Sequence, residues 1–361
     1  MLSEPPASSN SFELSASYVV YRRGNLTVVQ NCTSGGAEHS SEDSAAAIQW
    51  AIDQSRHGGV IVIREGSYLL NRSLVVHEPV TIAGSGTGHY NGSVSYGTVL
   101  EFEQLQDGVV ISSENGSYTG GLVIRDLTLD GGQRCMIGLN LVKAAKCSFD
   151  NLLVVGFTHY GTWLQEAHMN NFENCRFMEN GIGSPLTGGV LVGYNLSANA
   201  NTFWGCTFEF GGSGAVIVNS YATSFNGCVF EGNHFHGVYG TSSADRSAYA
   251  QHISINDCYF ELNNIARSNG TVCDILVEGS GSSYWSVENV KTSGWLVNYS
   301  VVVEGWFTHL SNVRAMDRTI LWKSPQGSME FVENLDPASI PIAPDVQWSG
   351  PRLAVQRAAC A

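Results

Sequence analysis

Lysine is almost missing from this chain: four occur in 361 residues, Lys143, Lys146, Lys291 and Lys323. Lys and Arg together number 18 against 32 Asp and Glu, for a net charge of −14. A chain this acidic lacks the positive field that nucleic acid or an anionic membrane surface needs, so neither is an expected partner. Charged residues of both signs make up only 14%, which leaves Ser, Thr, Asn and Gly to build much of the surface. No apolar run reaches the roughly 18 residues of a membrane-spanning helix. No leader pattern opens the chain, which is how a mature or a trimmed form would read. The nine cysteines include no closely spaced pair of the kind zinc sites use, so no metal is expected.

What is there is a recurring phrase: IRDLTL (124–129), FDNLLV (149–154), FENCRF (172–177), FWGCTF (203–208), FNGCVF (225–230), INDCYF (255–260), VENVKT (287–292) and LSNVRA (310–315). Its start-to-start spacings are 25, 23, 31, 22, 30, 32 and 23 residues, the period of a solenoid. The third residue is Asp126, Asn151, Asn174, Gly205, Gly227, Asp257, Asn289 or Asn312, always a type that tolerates the left-handed conformation. Apolar residues stand two before it and one after. A continuous strand would send those to opposite faces, so the chain must bend between them for both to point inward. Cys175, Cys206, Cys228 and Cys258 then occupy one inward position in successive coils and read as buried free thiols acting as small hydrophobes.

These features predict an all-β fold, a parallel β-helix of three strands per coil and about ten coils. Residues 1–40 read as a lead-in and strand pair, with YVVY and LTVV flanking residues 22–25. Residues 41–333 form the β-helix, with a capping helix at 43–55 whose apolar face is Ala47, Ile48, Ala51 and Ile52. Residues 334–361 form a Pro-rich tail. After each Cys-x-Phe strand a loop leads to a strand led mostly by Gly, as in GLNLV (138–142), GTWLQ (161–165), GAVIV (214–218) and GVYGT (237–241).

The segments DSAAAIQWAID, GGVIVIREGSYLL, LVV and VTIAGSG, from Asp43 to Gly86, resemble the N-terminal cap and first coils of the pectate-lyase-like right-handed parallel β-helix superfamily. That family includes polysaccharide lyases, glycoside hydrolases, tail spikes and uncharacterised archaeal surface proteins. The resemblance covers roughly residues 40–330 and implies a right-handed coil and a groove over the Gly-led strand. Outward positions there are Asn140, Trp163, Gln165, Tyr239 and Glu278, with Trp163 and Tyr239 able to stack on sugar rings. The family's NTD, DD, GHG, RIK and WIDH motifs are absent, with His236-Gly237 only a fragment of one.

Carboxylates recur just after the Phe of three coils, Glu209, Glu231 and Glu261, in what reads as the loop entering the groove. Coils about 4.8 Å apart would set them at separations bracketing those of glycosidase acid pairs. Around Glu231 stand His234 and His236, and the long turn 240–251 carries Asp245 and Arg246; long loops on a regular scaffold are where function concentrates. The expectation is an extracellular or cell-surface glycoside hydrolase. Its catalytic candidates are Glu209, Glu231, Glu261, His234 and Asp245, and its glycan-binding candidates Trp163, Tyr239, Arg246, His236, Gln165 and Glu278. A lyase or epimerase on a uronate glycan, for which Ca²⁺ would be the expected ion, and a non-catalytic surface or tail-spike-like glycan binder are the alternatives. A homotrimer is an open expectation from tail spikes. Eight sequons (Asn25, Asn31, Asn71, Asn91, Asn115, Asn195, Asn269, Asn298) fit a glycosylated surface protein.

Overall fold

The computed structural model describes residues 16–88, 97–243, 248–268, 271–279, 281–294, 296–297, 299–305, 308–315, 320–322 and 331–333. Asp245, Arg246, three of the sequons (Asn91, Asn269, Asn298) and the tail 334–361 lie outside these residues. The chain winds as a right-handed parallel β-helix. One long sheet system carries the strands on either side of the recurring phrase's bend, and a ten-stranded parallel sheet runs from Leu74–Val76 to Ile320–Trp322.

All eight predicted corners are left-handed, with φ between 49° and 62° from Asp126 to Asn312. The strands before the corner form a first face, among them Asn171–Glu173, Thr202–Trp204 and Ser224–Asn226. Those after it form a second, among them Arg176–Met178, Thr207–Glu209, Val229–Glu231 and Tyr259–Glu261. The ten-stranded sheet is the third. Two-residue strands such as Ala198–Asn199, Ser220–Tyr221 and Ala250–Gln251 add a fourth, narrow stack between the third face and the first, which the three-strand reading did not contain.

The interior is two ladders of rings. Phe149, Phe172, Phe203 and Phe225 stack in register on the first face, centroids 4.5–4.9 Å apart. Phe177, Phe208, Phe230 and Phe260 stack on the second at 4.7–5.0 Å. Across the corner the ladders meet edge to face, as Phe203 and Phe208 do at 5.9 Å and 66°, an arrangement that suits the ring quadrupoles. Between them the four cysteines are free and buried. Each donates to a carbonyl one coil away, as Cys206 Sγ does to Phe172 O at 3.4 Å.

On the third face, Gly108, Gly138, Gly161, Gly189, Gly214 and Gly237 each precede an inward residue of one register row. Packing demands glycine there: a Cβ on Gly214 would lie 2.6 Å from Phe230 Cδ1 and 2.5 Å from Gly237 O. Gly214→Ala is expected to cost about 1–3 kcal/mol as an overpacking change. Urea unfolding checks this, and a shift of a few tenths of a kcal/mol would contradict it.

At the N-terminal end, Tyr18–Arg23 and Leu26–Asn31 pair as a hairpin, extended by an unforeseen third strand, Ala37–Ser41. The helix Ser44–Gln54 follows, with Asp43 as its N-cap accepting from Ala46 N at 3.1 Å. Ala47, Ile48, Ala51 and Ile52 are buried in the core as the apolar spacing requires. Among the described residues no helix is long and apolar enough to cross a membrane.

Candidate active site on the second face

The three glutamates are not loop residues. Each is the last residue of a second-face strand, and they sit side by side in one register row, Met178, Glu209, Glu231, Glu261, Ser293. Because the preceding Phe points inward, pleating turns each glutamate outward. What separates strand from loop is a second left-handed corner one residue later, at Glu179, Phe210, Gly232, Leu262 and Gly294. Most of these are types that disfavour positive φ, so the corner left no mark on the sequence.

The three glutamates differ in surroundings. Glu209 is buried, 6% exposed, and takes an ion pair from Arg176 Nε on the neighbouring coil. Glu231 is half-buried and receives no side-chain hydrogen bond among the described residues. Burial first, then the Glu261 and Glu209 carboxylates, push its carboxyl above the usual range, against an opposing pull from Arg176. Glu261 is half-buried at the far end of the trio, beside Tyr259 on the same strand. Burial and the Glu261 carboxylate push the Tyr259 phenol up, and Lys291 Nζ sits 5.4 Å from the centre of its ring. Two carboxyls, one paired and covered, one unpaired and shifted, are the kind of split that assigns different protonation states to chemically equal groups.

Arg176, Tyr259 and Lys291 join this face because they hold the outward row two residues before the glutamates. Phe210 escaped the sequence reading altogether. It is 38% exposed, directly follows Glu209, and its ring covers Gly232, where a Cβ would lie 2.6 Å from Cε1. An aromatic next to a carboxylate column, opposite a glycine one coil on, was the available signal.

Trp163 and Tyr239 belong instead to the third face, on Tyr160–Gln165 and Val238–Gly240, so they and the glutamates do not share one sheet surface. Trp163 is half-buried against Tyr160 and the apolar patch Leu191, Val216 and Val218, and its Nε1 donates to Gly193 O at 2.9 Å. The Tyr239 hydroxyl donates to Glu278 Oε2 at 2.5 Å, and the Thr241 hydroxyl to the same oxygen at 2.6 Å. Gln165 Nε2 donates to Asn140 Oδ1 at 2.7 Å, and Asn140 in turn to Asp107.

The histidines divide. His236 is 4% exposed and packs beneath Tyr239, ring centres 4.9 Å apart; burial pulls its pKa down to about 4. A neutral, covered imidazole cannot reach a ligand, which corrects its reading as a binding residue. His234 is partly exposed in the turn after Glu231, and burial lowers its pKa as well. Asn233 and Asn263 form an internal ladder, Asn233 Nδ2 donating to Asn263 Oδ1 at 2.9 Å. Asn180 binds backbone in the same manner further up. Among the described residues no cluster of three or more His, Cys, Asp or Glu side chains could hold a metal ion.

No protein-family model and no curated protein matches the chain. Solved structures do. The surface adhesin PfbA of Streptococcus pneumoniae superposes with a TM-score of 0.56 at 9% identity, over 81% of this chain and 77% of that one. An alginate lyase from a Paenibacillus species gives 0.52 at 18%, over 81% and 93%. ORF18 of Geobacillus virus E2 gives 0.52 at 17%, over 78% of this chain but 58% of that longer one. At such identities the likeness is one of fold, the right-handed parallel β-helix.

Proposed function

We propose that this chain is an extracellular glycoside hydrolase that cleaves a polysaccharide on the second face, with Glu231 as acid and Glu261 as nucleophile. The observation that carries the reading is the in-register glutamate row in which Glu231 has no side-chain partner among the described residues and its carboxyl is raised. Glu209, covered and ion-paired with Arg176, is a positioning residue that sets the local field. Glu231 and Glu261 occupy adjacent strands, about 4.8 Å apart, near the roughly 5–5.5 Å of retaining pairs and short of the 6.5–9.5 Å of inverting ones.

In that mechanism Glu231 gives its proton to the glycosidic oxygen as the C–O bond breaks, and Glu261 attacks the anomeric carbon to form a glycosyl ester. Water, deprotonated by Glu231, then releases the sugar and restores both groups. Phe210 and Tyr259 are the rings placed to border a bound sugar. The solved relatives include a lyase and an adhesin, and the sequons fit a location outside the cell. The test is product analysis on soluble polysaccharides. New reducing ends with retained anomeric configuration and no ultraviolet absorbance of an unsaturated sugar are expected. Unsaturated products would replace this reading with elimination.

A further inference from the structure

The narrow stack between the third face and the first presents rings that neither the core nor the glutamate row uses. Asn199, Tyr221, Gln251 and Ser283 share one bridged row, and the next residue in each coil is a left-handed corner: Ala200, Ala222, His252 and Tyr284. Lys146 and Met169 hold the same corner in the two preceding coils. Tyr221 is 49% exposed and Tyr284 48%. His252 lies between them, 4.5 Å from each ring centre and stacked on Tyr284 within 11°. At the other end of the ledge, Tyr118, 48% exposed, packs on His168 at 5.3 Å, and its hydroxyl bonds His168 Nε2 at 2.9 Å and Glu166 Oε1 at 3.1 Å.

The corner does not require the rings of His252 and Tyr284, because Ala serves it at positions 200 and 222, and the row of Tyr221 elsewhere holds Asn199, Gln251 and Ser283. From the coil of Lys146 to that of Tyr284 the shelf crosses five coil intervals, about 24 Å at roughly 4.8 Å each. Its middle is floored by Ala200 and Ala222 and its ends are ringed by aromatics. Between the rings stand the polar side chains of Lys146, His168, Asn199 and Gln251, which interrupt the apolar surface that a protein partner would cover. Alternating ring faces and hydrogen-bonding groups along a straight, open shelf match the alternating apolar faces and hydroxyl edges of a sugar chain.

We infer that this ledge is a second carbohydrate-binding surface, separate from the glutamate row, that holds an extended glycan parallel to the coil axis. It rests on the proposed function only for the class of its ligand. The Tyr221–His252–Tyr284 ladder anchors one end of the chain and the Tyr118–His168 pair the other.

Affinity electrophoresis of the full chain through gels containing alginate, dextran or soluble chitosan tests it. The wild type is expected to be retarded by at least one of the three. Tyr221→Ala with Tyr284→Ala should weaken that retardation by roughly tenfold or more, as loss of two stacking rings implies. E231Q/E261Q should remain retarded while losing cleavage, which separates failure of the ledge from failure of the catalytic assignment. Because both tyrosines are half exposed, the double variant should keep the wild-type circular dichroism. Equal retardation of wild type and Y221A/Y284A, or no retardation of the wild type in any gel, would overturn the inference. If the variant unfolds, Tyr221→Ser alone, read the same way, decides.

Discussion

Glu231→Gln is expected to lower glycan cleavage by about 10²- to 10⁴-fold, the range for removing a general acid, with glycan binding unchanged. The amide keeps the size of the side chain but has no proton to give the leaving oxygen. The loss should shrink on an aryl glycoside whose leaving group needs no protonation, because only the acid step has been removed. The pH profile carries a signed check. Glu231 acts in its protonated form, and burial together with Glu261 and Glu209 raises its pKa. Cleavage should therefore fall as pH rises through that raised value. Glu209→Gln removes one negative neighbour and frees the Arg176 charge, so it should move this basic limb to lower pH. Arg176→Gln removes the positive neighbour and should move it to higher pH. Wild-type turnover in E231Q, or a basic limb that shifts the same way in E209Q and R176Q, would remove Glu231 from the acid role.

The first corner was legible because Gly, Asn and Asp are the types that enter left-handed backbone at the least cost, and they recur at a fixed place. Once that bend was recognised, the inward Cys and Phe rows followed from pleating alone. The second corner was illegible for the converse reason. At Glu179, Phe210 and Leu262, stacking against the coils above and below overrides local preference, and no residue type advertises it. That single unseen bend moved the glutamates from a loop to a strand, and so from the face of Trp163 to a face of their own. Lateral pairing was hidden too: Arg176 reaches Glu209 across 33 residues of chain, and only the register of two coils brings them together. The leading glycines of the third-face strands were visible as a pattern, but their cause, carbonyls of the next coil and mostly Phe rings standing where a Cβ would go, belongs to packing.

Where that glycine row ends, the structure makes its largest prediction about stability. Asp274 follows Gly237 in the row, preceding Ile275 as Gly237 precedes Val238, and it is buried, 2% exposed. Its Oδ1 accepts from Asn263 Nδ2 at 2.8 Å, closing the internal Asn ladder. Burial raises its pKa to about 7 from an ordinary 3.8, with the Asn263 bond opposing the shift. A carboxyl whose folded pKa lies above its unfolded one contributes stability that is fully present below pH 3.8. That contribution drains away as pH rises towards about 7, because the unfolded chain ionises freely while the folded one cannot. At 1.36 kcal/mol per pH unit the gap amounts to about 4 kcal/mol. Asp274→Asn keeps the acceptor for Asn263 and cannot ionise, so the variant should match the wild type near pH 4. It should then gain steadily between pH 4 and 7, and lead by up to about 4 kcal/mol above that. Urea unfolding of both proteins across this range reads the difference directly. A difference that stays constant from pH 4 to 8 would mean that Asp274 ionises as readily in the folded protein as in the unfolded chain, and that the end of the ladder is open to water.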